Sequence, residues 1–161
     1  MKKLSTISRT LFTVLILSAT LQASNAQAIS KKLQQNRDFT GAVAQKDAYK
    51  AIYMIDVNDP YVINKTLRNI SNALKDPRLK GKLEVELVAF SDGVATYLKT
   101  SHYESQLKAL IEKGVIVVQC ANTLKEKHMS RDQIFDFVGL VPSGNGELIL
   151  RQAEGWSVIK P

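Results

Sequence analysis

From Tyr49 onward, apolar and β-branched runs of strand length recur along this chain. They are AIYMIDV at 51–57, LEVELVAF at 83–90, VIVVQC at 115–120, FVGLV at 137–141 and WSVI at 156–159. Such near-continuous apolar runs suit strands buried on both faces, as in a parallel sheet. Helical patterns lie between them. The first opens with Asp59-Pro60, an N-cap followed by proline at the first helical position, and places Ile63, Leu67, Ile70 and Leu74 along one face. The second opens at Ser101, with Glu104 three residues on as a capping box; it carries Tyr103, Leu107, Leu110 and Ile111 and stops at Gly114. The third spans about 122–135 in two short pieces, with Ser130 and Gln133 suited to a second capping box. The fourth runs from about Gly144 to Glu154 and stops at Gly155.

Five strands alternating with helices predict an α/β sandwich on a mainly parallel sheet. In such sheets function gathers outside the carboxyl ends of the strands. Those ends carry Asn58 and Asp59, then Ser91, Asp92 and Gly93, then Cys120 to Thr123, then Pro142 to Gly146.

The first residues lack this alternation. Met1 to Arg9 holds Lys2, Lys3 and Arg9 without an acid, Leu11 to Leu17 is apolar, and Ala26-Gln27-Ala28 fits a small-x-small cleavage site. This is the form of a secretory signal peptide, and its apolar core is too short to span a bilayer. The expected organisation is a signal peptide at 1–28, a polar and partly helical lead-in at 29–48, and one α/β domain at 49–161. Cleavage after Ala28 predicts a periplasmic or otherwise exported protein, with no membrane attachment once the signal is gone.

Cleavage also changes the charge. The whole chain carries +7, from 22 basic and 15 acidic residues. Losing Lys2, Lys3 and Arg9 leaves 19 basic residues against 15 acidic, a net +4. The aromatics do not interleave with the basic residues as a nucleic-acid platform requires, so no nucleic-acid partner is expected. The remaining Lys and Arg read as solvated surface.

One cysteine, Cys120, excludes an internal disulfide and a cysteine-built metal cage. With His102 and His128 the only histidines, no ligand spacing points to a metal. No GxGxxG follows a strand, no Walker-type loop is present, and VNDPYVIN lacks a flavin-phosphate turn. No cofactor is therefore expected. Asp56 and Asp59 form a candidate carboxylate pair, with Asp59 better explained as the helix cap. SGNG at 143–146 suits either an anion cradle or an ordinary tight turn.

Cys120 supports two readings. At a strand end before a helix start, backbone N–H groups favour a thiolate; Asn122 or Thr123 would cap that helix, and Lys125, Lys127 and His128 would add positive charge. Alternatively it is a buried small hydrophobe, as free cysteines often are.

The segments VELVAFSDGV, GVIVVQCANTLK and ELILRQAEGWSVIKP, in this order with the DP-started helix, resemble the DsrE/DsrF-like sulfur-relay family, in particular its small exported members. The resemblance covers about 49–161. It implies a flavodoxin-like three-layer sandwich with a five-stranded, mainly parallel sheet, assembled as a homo-oligomer, a trimer or hexamer. It also implies that Cys120 accepts sulfur as a persulfide from a donor protein and passes it to an acceptor, with Asn122 and Thr123 in support. The relay members are cytoplasmic and work with partner subunits, whereas this chain begins with an export signal and reads ANTLKEKH after the cysteine. The alternative within the same fold is a non-catalytic oligomeric binding module in which Cys120 is structural.

Overall fold

Strand β1 (Tyr49–Ile55) starts a chain of βα units in the computed structural model, which describes residues 29–161. The signal peptide and its cleavage site lie outside the described residues. Of the described residues, 29–42 belong to one unit and 43–161 to another. The first carries helix α1 (Lys31–Arg37), which has no buried residue and is capped by Ser30, whose Oγ accepts from the Leu33 N–H at 3.3 Å.

After β1 come α2 (Pro60–Lys75), β2 (Leu83–Ala89), a 3-10 turn over Ser91–Tyr97, and α3 (Glu104–Ile111). Then follow β3 (Ile116–Cys120), α4 (Ala121–Glu126), a 3-10 turn over Arg131–Gln133, β4 (Gly139–Val141), α5 (Gly144–Ala153) and β5 (Ser157–Ile159). All ladder pairs are parallel, and the strand order is β4-β3-β2-β1-β5. The expected five-stranded α/β sandwich is present.

The strand order determines which face each helix covers. Each step from β1 to β4 moves one strand in the same direction, so right-handed crossovers put α2, α3 and α4 on one face. Ile63, Leu67 and Ile70 of α2, Leu107 and Leu110 of α3, and Leu124 of α4 join one core there with Tyr53, Ile55, Leu87 and Val117. The step from β4 to β5 returns past three strands, which places α5 on the opposite face. A smaller core sits under it, of Ile52, Val88, Val118 and Trp156 with Leu148 packed against them.

The smaller core also holds charge. Glu86, fully buried on β2, accepts from Arg151 Nε at 2.8 Å and pairs with its Nη2 at 2.7 Å. Arg151 also meets Glu147 and Glu154, and its guanidinium lies 4.5 Å from the Trp156 ring. This cluster ties α5 to the sheet.

Local signals explain most helix ends. Asp59 Oδ1 accepts from the Tyr61 N–H at 2.8 Å ahead of Pro60, as the Asp-Pro pair predicts. Gln133 Oε1 accepts from the Ser130 N–H at 2.9 Å, completing the predicted capping box. Ser101 departs from expectation. Helix α3 starts at Glu104 without a side-chain cap, and Ser101 Oγ donates to the Thr96 carbonyl at 3.1 Å. The turn at 98–101 closes on itself through Ser101 N–H to Leu98 O, and the buried Tyr103 anchors the helix start. Among the described residues, no helix is long and apolar enough to cross a membrane.

Candidate functional site around Cys120

Cys120 is the last residue of β3 and occupies the cap position of α4. Its neighbours come from three strand ends. Phe90 to Gly93 follow β2, Ala121 to Thr123 follow β3, and Pro142 to Gly144 follow β4. Parallel register brings them together, since Val88 pairs with Val118 and Cys120 with Val141.

Neither Asn122 nor Thr123 is the cap that the sequence suggests. The cap residue of α4 is Cys120, because the strand runs directly into the helix. Asn122 N–H donates instead to the Pro142 carbonyl at 3.3 Å, tying α4 to the end of β4. Thr123, 3 % exposed, accepts from the Ser91 N–H at 2.9 Å, tying α4 to the end of β2. Both residues therefore sit beside the cysteine and hold its loops together.

Two features draw these loops close. Ser91 adopts φ 49, in the left-handed region. Gly93 follows, and a Cβ there would lie 2.1 Å from the Ile55 carbonyl oxygen, so only glycine fits. At the other side, SGNG opens α5. Ser143 caps it, its Oγ accepting from the Gly146 N–H at 3.2 Å. Gly144, at the first helical position, is buried so closely on Phe90 that a Cβ would lie 2.8 Å from its ring. The Gly144 N–H is among the groups that favour the thiolate.

Cys120 is 5 % exposed. Burial pushes its thiol up. The Thr123 hydroxyl, with the N–H groups of Gly144, Thr123 and Asn122, favours the thiolate, and the net shift is downward. A thiol with this balance is a better nucleophile near neutral pH than an ordinary one.

The other candidates are occupied elsewhere. Lys127 Nζ meets Asp92 Oδ1 at 2.6 Å. Lys125 and His128 are exposed. Asp56 pairs with Lys160 and Asp59 caps α2, so they form no carboxylate pair. His102 stacks on Tyr103, with centroids 4.1 Å apart. Among the described residues, no three His, Cys, Asp or Glu side chains gather where they could hold a metal ion. Two open grooves of about 440 and 480 Å³ lie elsewhere, between α2 and α3 and beside Phe135 and Phe137, and Cys120 lines neither.

Sequence reasoning missed the Gly144 N–H and the link from Ser91 to Thr123. The SGNG signal was visible, but its direction depends on β4 lying beside β3. Nothing local announces the Ser91 link, which spans 32 residues.

The sequence profile of the DsrE/DsrF-like family matches residues 57–161, which include every element from α2 to β5 and Cys120 itself. The chain belongs to the DsrE/DsrF-like family. This DsrE-like chain is 32 % identical to a protein of unknown function from Methanobacterium thermoautotrophicum, with a TM-score of 0.66, over 70 % of this chain and 99 % of that one. A conserved protein of unknown function from Bacteroides thetaiotaomicron shares the fold at 10 % identity and a TM-score of 0.56, over 75 % of this chain and 100 % of that one. No curated protein matches the DsrE-like chain.

Proposed function

We propose that this DsrE-like chain is an exported sulfur carrier, with Cys120 as persulfide acceptor. The supporting observation is the thiol itself. It sits at a strand end where a hydroxyl and three backbone N–H groups favour its anion. The chemistry is thiol exchange and uses no metal and no organic cofactor. The Cys120 thiolate attacks the outer sulfur of a donor persulfide, R–S–SH. A new S–S bond forms, the donor S–S bond breaks, and the donor leaves as R–S⁻. Delivery repeats the step, with an acceptor thiolate attacking the outer sulfur of Cys120–S–SH and returning the Cys120 thiolate. Atoms and electrons balance in both steps, so no external oxidant or reductant is required.

Intact mass of the protein purified from the exported fraction without reductant tests this reading. A reducible addition of one sulfur, absent in Cys120→Ser with the fold intact, is the expected result. Alkylation of Cys120 by iodoacetamide should also begin below the pH of an ordinary thiol. An unmodified cysteine that reacts only after denaturation sinks the reading. That outcome leaves the second reading, in which Cys120, 5 % exposed, is structural and the fold serves binding.

Export and assembly belong to the same proposal. The basic, apolar and small-residue order of 1–28 supports export, and a mature N-terminus at Ile29 in the exported fraction is the check. Homo-oligomerisation is supported by the apolar side chains that α5 and its face leave in solvent. These are Ile149, Leu150, Ile116 and Val158, with Ile149 68 % and Leu150 61 % exposed. Light scattering on the mature protein should give a multiple of the monomer mass, and a clean monomer ends that part of the proposal.

A further inference from the structure

Helices α2 and α3 both pack on the larger core, and an open groove of about 440 Å³ runs between them. The buried Leu67 and Leu110 line it, with Arg68 and Lys75 of α2 and Lys113 just after α3, all three exposed. No acidic residue and no aromatic ring lines it. Among the described residues, Arg68, Lys75 and Lys113 join none of the ion pairs. Asn72 and Gln106 add exposed carboxamides. The charge is concentrated here. Residues 65–82 hold six basic residues and one acid, a net +5, whereas the rest of 43–161 holds ten basic and thirteen acidic, a net −3. The crossover helices run back from the carboxyl ends of the strands, so Lys75 and Lys113 stand toward the amino ends of β2 and β3. Cys120 is at the other end of β3.

We propose that this groove is a docking site for an acidic, extended segment of a partner protein, whose Asp and Glu side chains meet Arg68, Lys75 and Lys113. Charge complementarity identifies the occupant: unpaired cations line a groove that holds no acid of its own. Arg68 and Lys75 are two turns apart, about 10 Å along α2, a length that about three residues of extended chain span. Asn72 and Gln106 each offer a donor and an acceptor, which match the peptide groups of such a segment. A single-stranded nucleic acid needs stacking rings, which the groove lacks. A flat anionic membrane meets the exposed cations and draws nothing from the concave walls. The docked segment lies away from the thiol, so the proposal stands apart from the sulfur-carrier reading.

Fluorescein-labelled hexaglutamate is the probe, with hexaglutamine as its neutral counterpart, and fluorescence anisotropy reports binding to the purified protein. Hexaglutamate should bind, more weakly as salt rises, and hexaglutamine should not. Combining Arg68→Gln, Lys75→Gln and Lys113→Gln should weaken binding by about fivefold or more. The urea midpoint should stay in place, because all three side chains are exposed. The control combines Lys32→Gln, Lys46→Gln and Lys125→Gln, which removes the same charge from exposed positions outside the groove and should leave binding nearly unchanged. Asn72→Ala with Gln106→Ala should weaken hexaglutamate at low and high salt alike, which a diffuse attraction between net charges does not predict. Absence of hexaglutamate binding at low salt, or equal weakening in the groove variant and the control, overturns the proposal. So does an Asn72→Ala, Gln106→Ala protein that binds as the wild type does. Sedimentation with phosphatidylglycerol vesicles that the groove variant abolishes, with hexaglutamate unbound, assigns the cations to a membrane and overturns it as well.

Discussion

Gly144→Ala tests the contact that carries the site. An ideal Cβ at this position would lie 2.8 Å from Phe90 Cδ1 and 3.0 Å from both Phe90 Cβ and Cγ. Ordinary contact begins near 3.4 Å, so the overlaps are 0.4–0.6 Å. Ring rotation relieves the contact with Cδ1. It does not move Phe90 Cβ, which is fixed to the backbone at the end of β2. The start of α5 must therefore back away. Overpacking of this size costs about 1–3 kcal/mol. Alanine returns less than about 1 kcal/mol of helix propensity, because the first helical position gains little of it. The net expectation is a loss of about 1–2 kcal/mol.

The same shift pulls the Gly144 N–H from the sulfur. The folded thiol ionises below its ordinary value, so thiolate stabilisation is complete above that value and is lost as pH falls through the folded one. Gly144→Ala should narrow that window from below. Urea denaturation measures the first effect, and an iodoacetamide rate profile measures the second. Gly146→Ala is the control, since its Cβ would meet the Ser143 side chain at 3.3 Å and nothing of Phe90. A Gly144→Ala protein as stable as the wild type, with an unchanged profile, refutes the argument.

Gly93→Ala should be more damaging. Its Cβ would meet the Ile55 carbonyl oxygen at 2.1 Å and the carbonyl carbon at 2.6 Å, both backbone atoms of β1. The expected cost is about 3 kcal/mol or more, read as a fall in the urea midpoint, and a near-neutral variant contradicts the close packing. Arg151→Ala should cost about 3–5 kcal/mol, because it leaves the buried Glu86 carboxylate without its cation. Burial already pushes the Glu86 carboxyl up, Arg151 opposes this, and Glu147 and Glu154 add to the rise. Without Arg151 the folded carboxyl rises further, so stability is retained at low pH and lost as pH rises through the folded value. Denaturation at pH 5 and pH 8 should show the larger loss at pH 8, and equal losses refute the buried-charge account.

Much of this fold is legible along the chain because its causes are local. Runs such as LEVELVAF and VIVVQC are mostly apolar, as a strand covered on both faces requires, with Glu86 and Gln119 as buried polar exceptions. Asp59-Pro60 starts α2 through bonds within one turn of the same helix. The place of Cys120 at the end of β3 follows from counting residues along an apolar run. Ser101 shows the limit of such signals. Its neighbours match a capping box, yet a contact with Thr96 and the burial of Tyr103 decide where α3 begins.

The tertiary structure alone settles what surrounds the thiol. No periodicity reveals that β5 returns to the far side of β1, which leaves α5 as the helix over Ile52, Val88 and Val118. Arg151 finds Glu86, 65 residues away, only after that return. The Gly144 N–H comes to favour the Cys120 thiolate because β4 lies beside β3 and because a glycine permits contact with Phe90. Ser91 reaches Thr123 because β2 lies on the other side. Residue type and spacing reflect the burial each residue needs, so they mark the strands, the helices and the cysteine. The donors that set the character of the thiol come from two separate strand ends, and a turn after a third holds Thr123; strand order and packing alone bring those ends together.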